Sequence, residues 1–303
     1  PGLFTTVQDL GREGYTELGV SPAGACDTLA LRIGNLLVGN KEGDAAIEVT
    51  IAGASFRFTS DMLVVLTGAD FNANLDGTPV AAWCAFNVSG GQVLRLAGAR
   101  TGARAYLCVF GGIAVPQVLG SASTHVLSGL GGLEGRALRK GDRLQVGPRT
   151  SPVNARRLPS RFAPLLRRES RIRVTTGAHT RRFNSEAVFR FLASPYCVAE
   201  DSNRMGLRLT GPPIPYTGEI LSEGVALGSL QVPPNGEPVL LFVDSQTTGG
   251  YPVIACVISA DLASAGQLRP RDEVRFDPVT IEEARILLRE QETMMRELRE
   301  TLA

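Results

Sequence analysis

Gly102 to Gly112, GARAYLCVFGG, is a short apolar run closed by a pair of glycines, and Gly236 to Asp244, GEPVLLFVD, repeats its outline. Gly102–Val109 overlays Gly236–Val243, and Gly111-Gly112 meets Gly249-Gly250 after a short insertion. Runs this brief, apolar and bounded by glycine, read as buried strands rather than helices. The likeness continues upstream of both. A helical stretch, CDTLALRIGNLLVG (26–39), and a polar loop lead to AIEVT (46–50) before the first run; NSEAVFRFL (184–192) and a polar loop lead to GLRLTGPP (206–213) before the second. This pattern predicts an internal duplication with two domains, 1–155 and 165–303, as a chain of 303 residues would form in any case, since one core stops growing near that size.

The rest of the chain agrees with a mainly β, α+β architecture. With 34 glycines and 18 prolines, it is punctuated into runs such as DMLVVLTG (61–68), GQVLRLAG (91–98) and SRIRVTTG (170–177). Helical periodicity is confined to Asp27–Val38, Asn184–Leu192 and Thr280 to the end. In the last, Thr280 and Glu283 form a capping box, and Ile281, Ala284, Leu287, Leu288, Met294, Met295, Leu298 and Leu302 share a side. Val153–Glu169, rich in Arg, Pro and Ser, reads as a linker.

Composition excludes several classes. A net charge of +1 with interspersed signs points to no nucleic-acid or membrane partner. Lysine occurs only at Lys41 and Lys140 and histidine only at His125 and His179. The five scattered cysteines read as reduced and offer no metal-ligand spacing, so no metal is expected. No run is long and apolar enough to span a bilayer, and the start PGLFTTVQDL lacks the features of a signal peptide, so a cytoplasmic location is expected.

Chemistry concentrates in three clusters. DSQTTGGYP (244–252) leaves an apolar strand with Asp244, Gln246, Thr247, Thr248, Gly249, Gly250 and Tyr251 together. Its paired glycines would let backbone N–H groups turn inward on an anion, with Asp244 as base or orienting group; the plain alternative is a decorated hairpin. GEILSEGV (218–225) carries Glu219 and Glu223 behind Arg204, a set suited to amide opening or carboxyl transfer if these are not simply solvated loop charges. QDLGR (8–12) supplies Asp9 and Arg12, and SPAGACD (21–27) ends at Asp27, which is also the natural N-cap of the first helix. His179 has a better claim than His125 to a role. Gly129–Gly135, GLGGLEG, misses the dinucleotide-binding spacing and reads as a turn.

Nine blocks then resemble, in order, the signatures of the biotin-dependent carboxyltransferase-like family (allophanate hydrolase subunit 2, KipA). They are TTVQDLGREGY (5–15), GVSPAGACDTLALRIGNLLVGN (19–40), AAIEVTIAGASFRF (45–58), FGGIAVPQVLGSAST (110–124), GGLEGRALRKGD (131–142), SNRMGLRL (202–209), EILSEGV (219–225), QVPPNGEPVLLFVDSQTTGGYP (231–252) and ADLASAGQLRPRDEVRF (260–276). The resemblance implies two tandem cyclophilin-like β-barrels. It also implies a KipI-like partner chain and, in the 5-oxoprolinase system, a LamB/YcsF-like third chain. There the complex opens 5-oxo-L-proline to L-glutamate with ATP hydrolysis; this chain would hold no covalent cofactor, and its nucleotide site is not legible. On that basis Asp244, Gln246 and Glu223 are the expected catalytic residues. Thr247, Thr248, Gly249, Gly250, Tyr251, Arg204, Glu219, Asp9, Arg12 and Asp27 are the expected substrate-binding ones.

The family pattern departs at two places. It carries a basic residue after the Asp and a Lys after the Pro of its last signature, where this chain has Ser245 and Val253. Each charge-assisted hydrogen bond so lost would weaken anion binding by about 1 to 3 kcal/mol. Two further readings stand beside the oxoprolinase one: a biotin-dependent carboxyltransferase of the urea amidolyase type, and a non-catalytic KipI-binding regulator of a histidine kinase. Homo-oligomers are also compatible with the glycine-rich edges and terminal helix.

Overall fold

Thr101–Val109, which carries the first of the two matching apolar runs, is the middle strand of a five-stranded antiparallel sheet in the computed structural model, which describes residues 2–148, 154–166 and 171–303. Its neighbours are Ala46–Thr50 and Met62–Asp70, flanked in turn by Phe4–Gln8 and Phe86–Val88. The two central strands are apolar without alternation because both their faces are covered. Val64, Leu66, Leu107 and Val109 point into the core. On the other face lies helix α1 (Thr28–Leu37), whose Ala30 carbonyl accepts the Thr67 hydroxyl at 2.7 Å. Gly34 permits this close seat, since a Cβ there would lie 2.6 Å from Cys108 Sγ.

A second, four-stranded sheet, Ser55–Arg57, Val93–Arg95, Asn74–Leu75 and Thr78–Pro79, closes over the same core through the fully buried Leu94. The chain crosses between the sheets just after Thr50, at Ile51, which adopts φ 57°. That left-handed conformation is costly for a β-branched residue; a 2.7 Å bond from the Ile51 N–H to the Ala103 carbonyl helps hold it.

The other compact unit is a closed seven-stranded barrel. Its order is Arg171–Thr176, Val253–Val257, Ser229–Gln231, Val239–Leu241, Gly206–Thr210, Tyr196–Val198 and Glu273–Pro278, and the last strand returns to the first in parallel register, Arg171 opposite Arg275. Helix α2 (Ser185–Ala193) is capped by Asn184, whose side chain accepts the Ala187 N–H, and its Phe191 stacks on Phe276 with ring centroids 4.8 Å apart. Truncating such a buried ring costs about 3 to 5 kcal/mol. A short helix, α3 (Leu262–Ala265), and the long helix α4 (Ile281–Leu302) follow. The mainly β reading therefore holds, with barrel closure in the second unit and two facing sheets in the first.

The first unit comprises Pro1–Arg12, Ala23–Arg167 and Thr293–Ala303, and the second Glu13–Pro22 and Arg168–Glu292. Three segments thus group differently from a division into 1–155 and 165–303: Glu13–Pro22 with the second unit, and Leu165–Arg167 and the end of α4 with the first. The linker reading needs correction. Ser160–Leu166 forms a 3-10 turn that buries Phe162 and Leu165, which three residues per turn place on one side. Val153 and Arg167–Glu169 lie outside the described residues. Gly129–Gly135 is a turn as expected, with Gly129, Gly131, Gly132 and Gly135 all at positive φ.

Candidate functional site

In the barrel unit, the two clusters around Asp244 and Glu223 are brought together by backbone pairing. Glu223-Gly224 forms a short antiparallel ladder with Thr248-Gly249, setting Glu223 opposite Gly249. Gly250 packs on the same turn, where an added Cβ would lie 3.4 Å from the Ile220 carbonyl and the Ser222 hydroxyl. Neither Gly249 nor Gly250 is in the left-handed region. The expected inward turn of their N–H groups is therefore replaced by a steric reason for glycine: a Cβ at Gly249 would meet Gln231 Nε2 at 2.6 Å.

Asp244 emerges just past the Val239–Leu241 strand and is 7 % exposed. Arg204 grips both its oxygens, Nε to Oδ2 at 2.8 Å and Nη2 to Oδ1 at 2.9 Å, and the Asp244 N–H donates to the Arg204 carbonyl at 2.9 Å. A carboxylate so engaged has the geometry of an orienting group. It ties the SNRMGLRL loop to the start of DSQTTGGYP, two segments distant in sequence.

Beyond it, Gln246 Nε2 reaches Gln231 Oε1 at 3.4 Å, and Gln231 Nε2 donates to the Tyr251 carbonyl at 3.3 Å. The Thr247 carbonyl accepts the Val225 N–H at 3.0 Å, while Thr248 and Tyr251 are exposed. Glu219 is exposed on the same loop.

His179 supplies what the sequence reading left out of the site. Its Nδ1 accepts the Val253 N–H at 3.1 Å, which requires the proton to sit on Nε2 in the neutral ring, and Nε2 faces Glu223 Oε1 at 3.1 Å. The imidazole is nearly buried and Glu223 about half exposed, so a fixed ring backs a carboxylate that solvent can reach. Ser245 and Val253, the positions of departure from the family pattern, are both buried.

In the sheet unit, Asp9 is surrounded by donors: the Ser121 and Ser123 hydroxyls at 2.6 and 2.5 Å, and the Ala122 and Gly11 N–H groups at 2.6 and 2.8 Å. Arg12, 1 % exposed, donates through Nη2 to the Ser123 carbonyl at 2.5 Å. Two of the signature blocks, 5–15 and 110–124, thus meet at Ser121–Ser123. Asp27 caps α1 by accepting the Ala30 N–H at 2.8 Å, as its position suggested.

Sequence reasoning missed Glu48 and Tyr106 here. Tyr106 donates to Glu48 Oε2 at 2.6 Å, the Cys26 N–H donates to the same oxygen at 2.9 Å, and the Asp27 N–H donates to the Tyr106 oxygen at 2.8 Å. Burial, then the Glu48 charge, pushes the Tyr106 hydroxyl well above its ordinary pKa. The available signal was a carboxylate in the middle of the apolar strand AIEVT, where none belongs without a partner. Among the described residues no group of three His, Cys, Asp or Glu is placed to hold a metal ion, and no helix is long and apolar enough to cross a membrane.

Over 296 residues the chain is 40 % identical to the 5-oxoprolinase C subunit of Haemophilus influenzae, covering 97 % of this chain and 94 % of that one. The Escherichia coli protein of the same name is 41 % identical over 285 residues, covering 93 % and 91 %. The urea amidolyase of Saccharomyces cerevisiae is 33 % identical over 98 % of this chain, which spans 17 % of that much longer protein. Among solved structures, the Kluyveromyces lactis urea amidolyase superposes with a TM-score of 0.92 at 30 % identity, over 98 % of this chain and 19 % of that one. TTHA0988 superposes with 0.82 at 36 %, over 91 % of this chain and 54 % of that one. The model of the carboxyltransferase domain, subdomain A and B, matches residues 18–278, and the chain belongs to that family.

Proposed function

We propose that this chain is the carboxyltransferase-like subunit of an ATP-dependent 5-oxoprolinase, opening 5-oxo-L-proline to L-glutamate together with partner subunits. The observation that carries the reading is end-to-end correspondence. The two 5-oxoprolinase relatives match over more than nine-tenths of both chains, whereas the amidolyase matches occupy a small part of much larger proteins. In the reaction, water adds to the lactam carbonyl carbon, the C–N bond breaks, and the released nitrogen takes a proton; ATP is the co-substrate of the complex, and this chain holds no covalent cofactor.

In this reading Glu223 takes the proton of the attacking group. His179 holds its Oε1 and fixes its direction, leaving Oε2 for the substrate side. The Asp244–Arg204 pair fixes the floor of the loop that bears Gln246, Thr248 and Tyr251, whose polar groups orient the substrate. In the sheet unit, Asp9 and Arg12 brace the loop at Ser121–Ser123 and Asp27 caps α1. The partners are a KipI-like chain and a LamB/YcsF-like chain; TTHA0988, of which this chain spans 54 %, shows the fold joined to further sequence in one polypeptide.

A carboxyltransferase role of the urea amidolyase type is the second reading, favoured by the superposition on the Kluyveromyces lactis enzyme at TM-score 0.92. One assay separates them: ATP-dependent glutamate release from 5-oxoproline by this protein mixed with its neighbouring-gene subunits, omitting each in turn. Loss of turnover on omitting this chain supports the first reading. Full turnover without it refutes that reading, and bicarbonate-dependent urea carboxylation with a biotinylated carrier would establish the second.

A further inference from the structure

Arg57, Arg95, Arg139 and Lys140, dispersed in sequence, line one groove of about 690 Å³ in the sheet unit. The Ser55–Arg57 and Val93–Arg95 strands pair antiparallel with Ser55 opposite Arg95 and Arg57 opposite Val93. Arg57 and Arg95 are therefore diagonal neighbours on one face, opposite the one from which Leu94 enters the core, with backbones about 7–8 Å apart. Arg139 and Lys140 come from a tight turn. Its ends are tied by the Asp142 N–H donating to the Arg139 carbonyl at 3.2 Å and the Arg139 N–H donating to Asp142 Oδ2 at 2.7 Å, and Gly141 at φ 94° completes it.

The groove is short of negative charge. Its lining includes one carboxylate, Asp142, already held by Arg136 through Nη1 at 2.7 Å and Nη2 at 3.1 Å. Arg57 donates to the Gly91 carbonyl at 3.2 Å. Among the described residues none of the four lining cations is ion-paired. Between them Val93, Leu138 and Leu144 give the groove an apolar floor.

We propose that this groove binds a small phosphorylated molecule, its phosphoryl oxygens taken by Arg57, Arg95, Arg139 and Lys140 and its less polar body lying on the apolar floor. Guanidinium forks match phosphoryl oxygens in pairs, and a multiply charged anion uses donors that a single carboxylate would leave unmatched. The volume lies within the roughly 300–1,000 Å³ typical of small-molecule sites. The assignment is independent of the oxoprolinase reading, because it concerns the sheet unit alone and is tested by binding.

The test is calorimetric titration of the full chain with pyrophosphate at low ionic strength. It compares wild type with Arg57→Gln/Arg95→Gln, with Lys140→Gln, and with Arg285→Gln/Arg289→Gln, which removes two exposed charges from α4. All substituted side chains are exposed, and thermal melting verifies that each variant is folded. The expected result is saturable binding, weakened by roughly tenfold or more in the first variant and less in the second, and unchanged in the α4 control. No heat with the wild type, or equal weakening in the control, overturns the proposal. Tighter binding of a short oligonucleotide, lost in the same groove variant, overturns it in favour of nucleic acid.

Discussion

His179 presents Nε2 to Glu223 Oε1 at 3.1 Å, across the short ladder that joins Glu223 to Gly249. Because the Val253 N–H occupies Nδ1, the ring has one tautomer available when neutral and one direction in which to donate.

Replacing His179 with asparagine tests this directly. The amide oxygen can take over the bond from the Val253 N–H, so the barrel should melt within a few degrees of wild type, while the contact to Glu223 is lost. We expect kcat of the reconstituted complex to fall by about 10²-fold or more, with KM changing little. His179→Leu should lose activity to the same extent and melt lower, since the Val253 donor is then orphaned. Wild-type kcat in the asparagine variant would remove His179 from the mechanism.

The Asp244–Arg204 pair is buried at both ends, so breaking it should cost more than removing it. Asp244→Ala leaves a guanidinium without its carboxylate and should destabilise the chain by about 3 to 5 kcal/mol. The double variant Asp244→Ala/Arg204→Met should be more stable than Asp244→Ala alone. Chemical denaturation of wild type, Asp244→Ala, Arg204→Met and the double variant measures this coupling; additive losses would show that the two side chains do not act as a unit.

Gly249→Ala sets a methyl group 2.6 Å from Gln231 Nε2. The glutamine must turn away, giving up its bond to the Tyr251 carbonyl and its contact with Gln246. Activity should fall with a loss of stability of only about 1 kcal/mol, the worth of one hydrogen bond. A second change, Gln231→Ala, should make Gly249→Ala nearly silent in stability, since the clash is then gone.

Alkaline stability depends on two buried phenols. Burial pushes Tyr196 up to about 12, and burial, then the Glu48 charge, also raises Tyr106 well above its ordinary value. A raised folded pKa means that the native state keeps its proton while the unfolded chain loses it. Stability is therefore full below pH about 10, the unfolded value, and declines as pH rises through the window from about 10 to about 12 and beyond. Tyr196→Phe, which gives up a 3.2 Å bond to the Pro212 carbonyl, should lower the melting temperature at pH 8 and make the decline above pH 10 shallower. An unchanged alkaline slope would mean that Tyr196 ionises alike in both states.

Local patterns determined much of this protein. Asp27, Asn184 and the Thr280/Glu283 box cap helices where capping chemistry requires, Thr280 N–H donating to Glu283 Oε2 at 2.7 Å and the Glu283 N–H to Thr280 Oγ1 at 3.1 Å, because a cap is settled within one turn. Strand character at Thr101–Val109 and at Val239–Leu241 was likewise legible as an apolar run between glycines. The 3-10 turn that buries Phe162 was not, since a short apolar cluster broken by Pro164 and flanked by arginines carries too weak a period.

Only the tertiary structure decided which charges meet. Arg204 and Asp244 lie 40 positions apart, and nothing local distinguishes this arginine from the many others. Glu48 is tolerable in a buried strand because Tyr106 and the Cys26 N–H reach it from other elements, and His179 is oriented by a strand more than 70 positions away. Ion pairs and hydrogen bonds act over a few ångströms whatever the separation along the chain, so the residue types can be read from the sequence, but their partners follow from the path of the backbone.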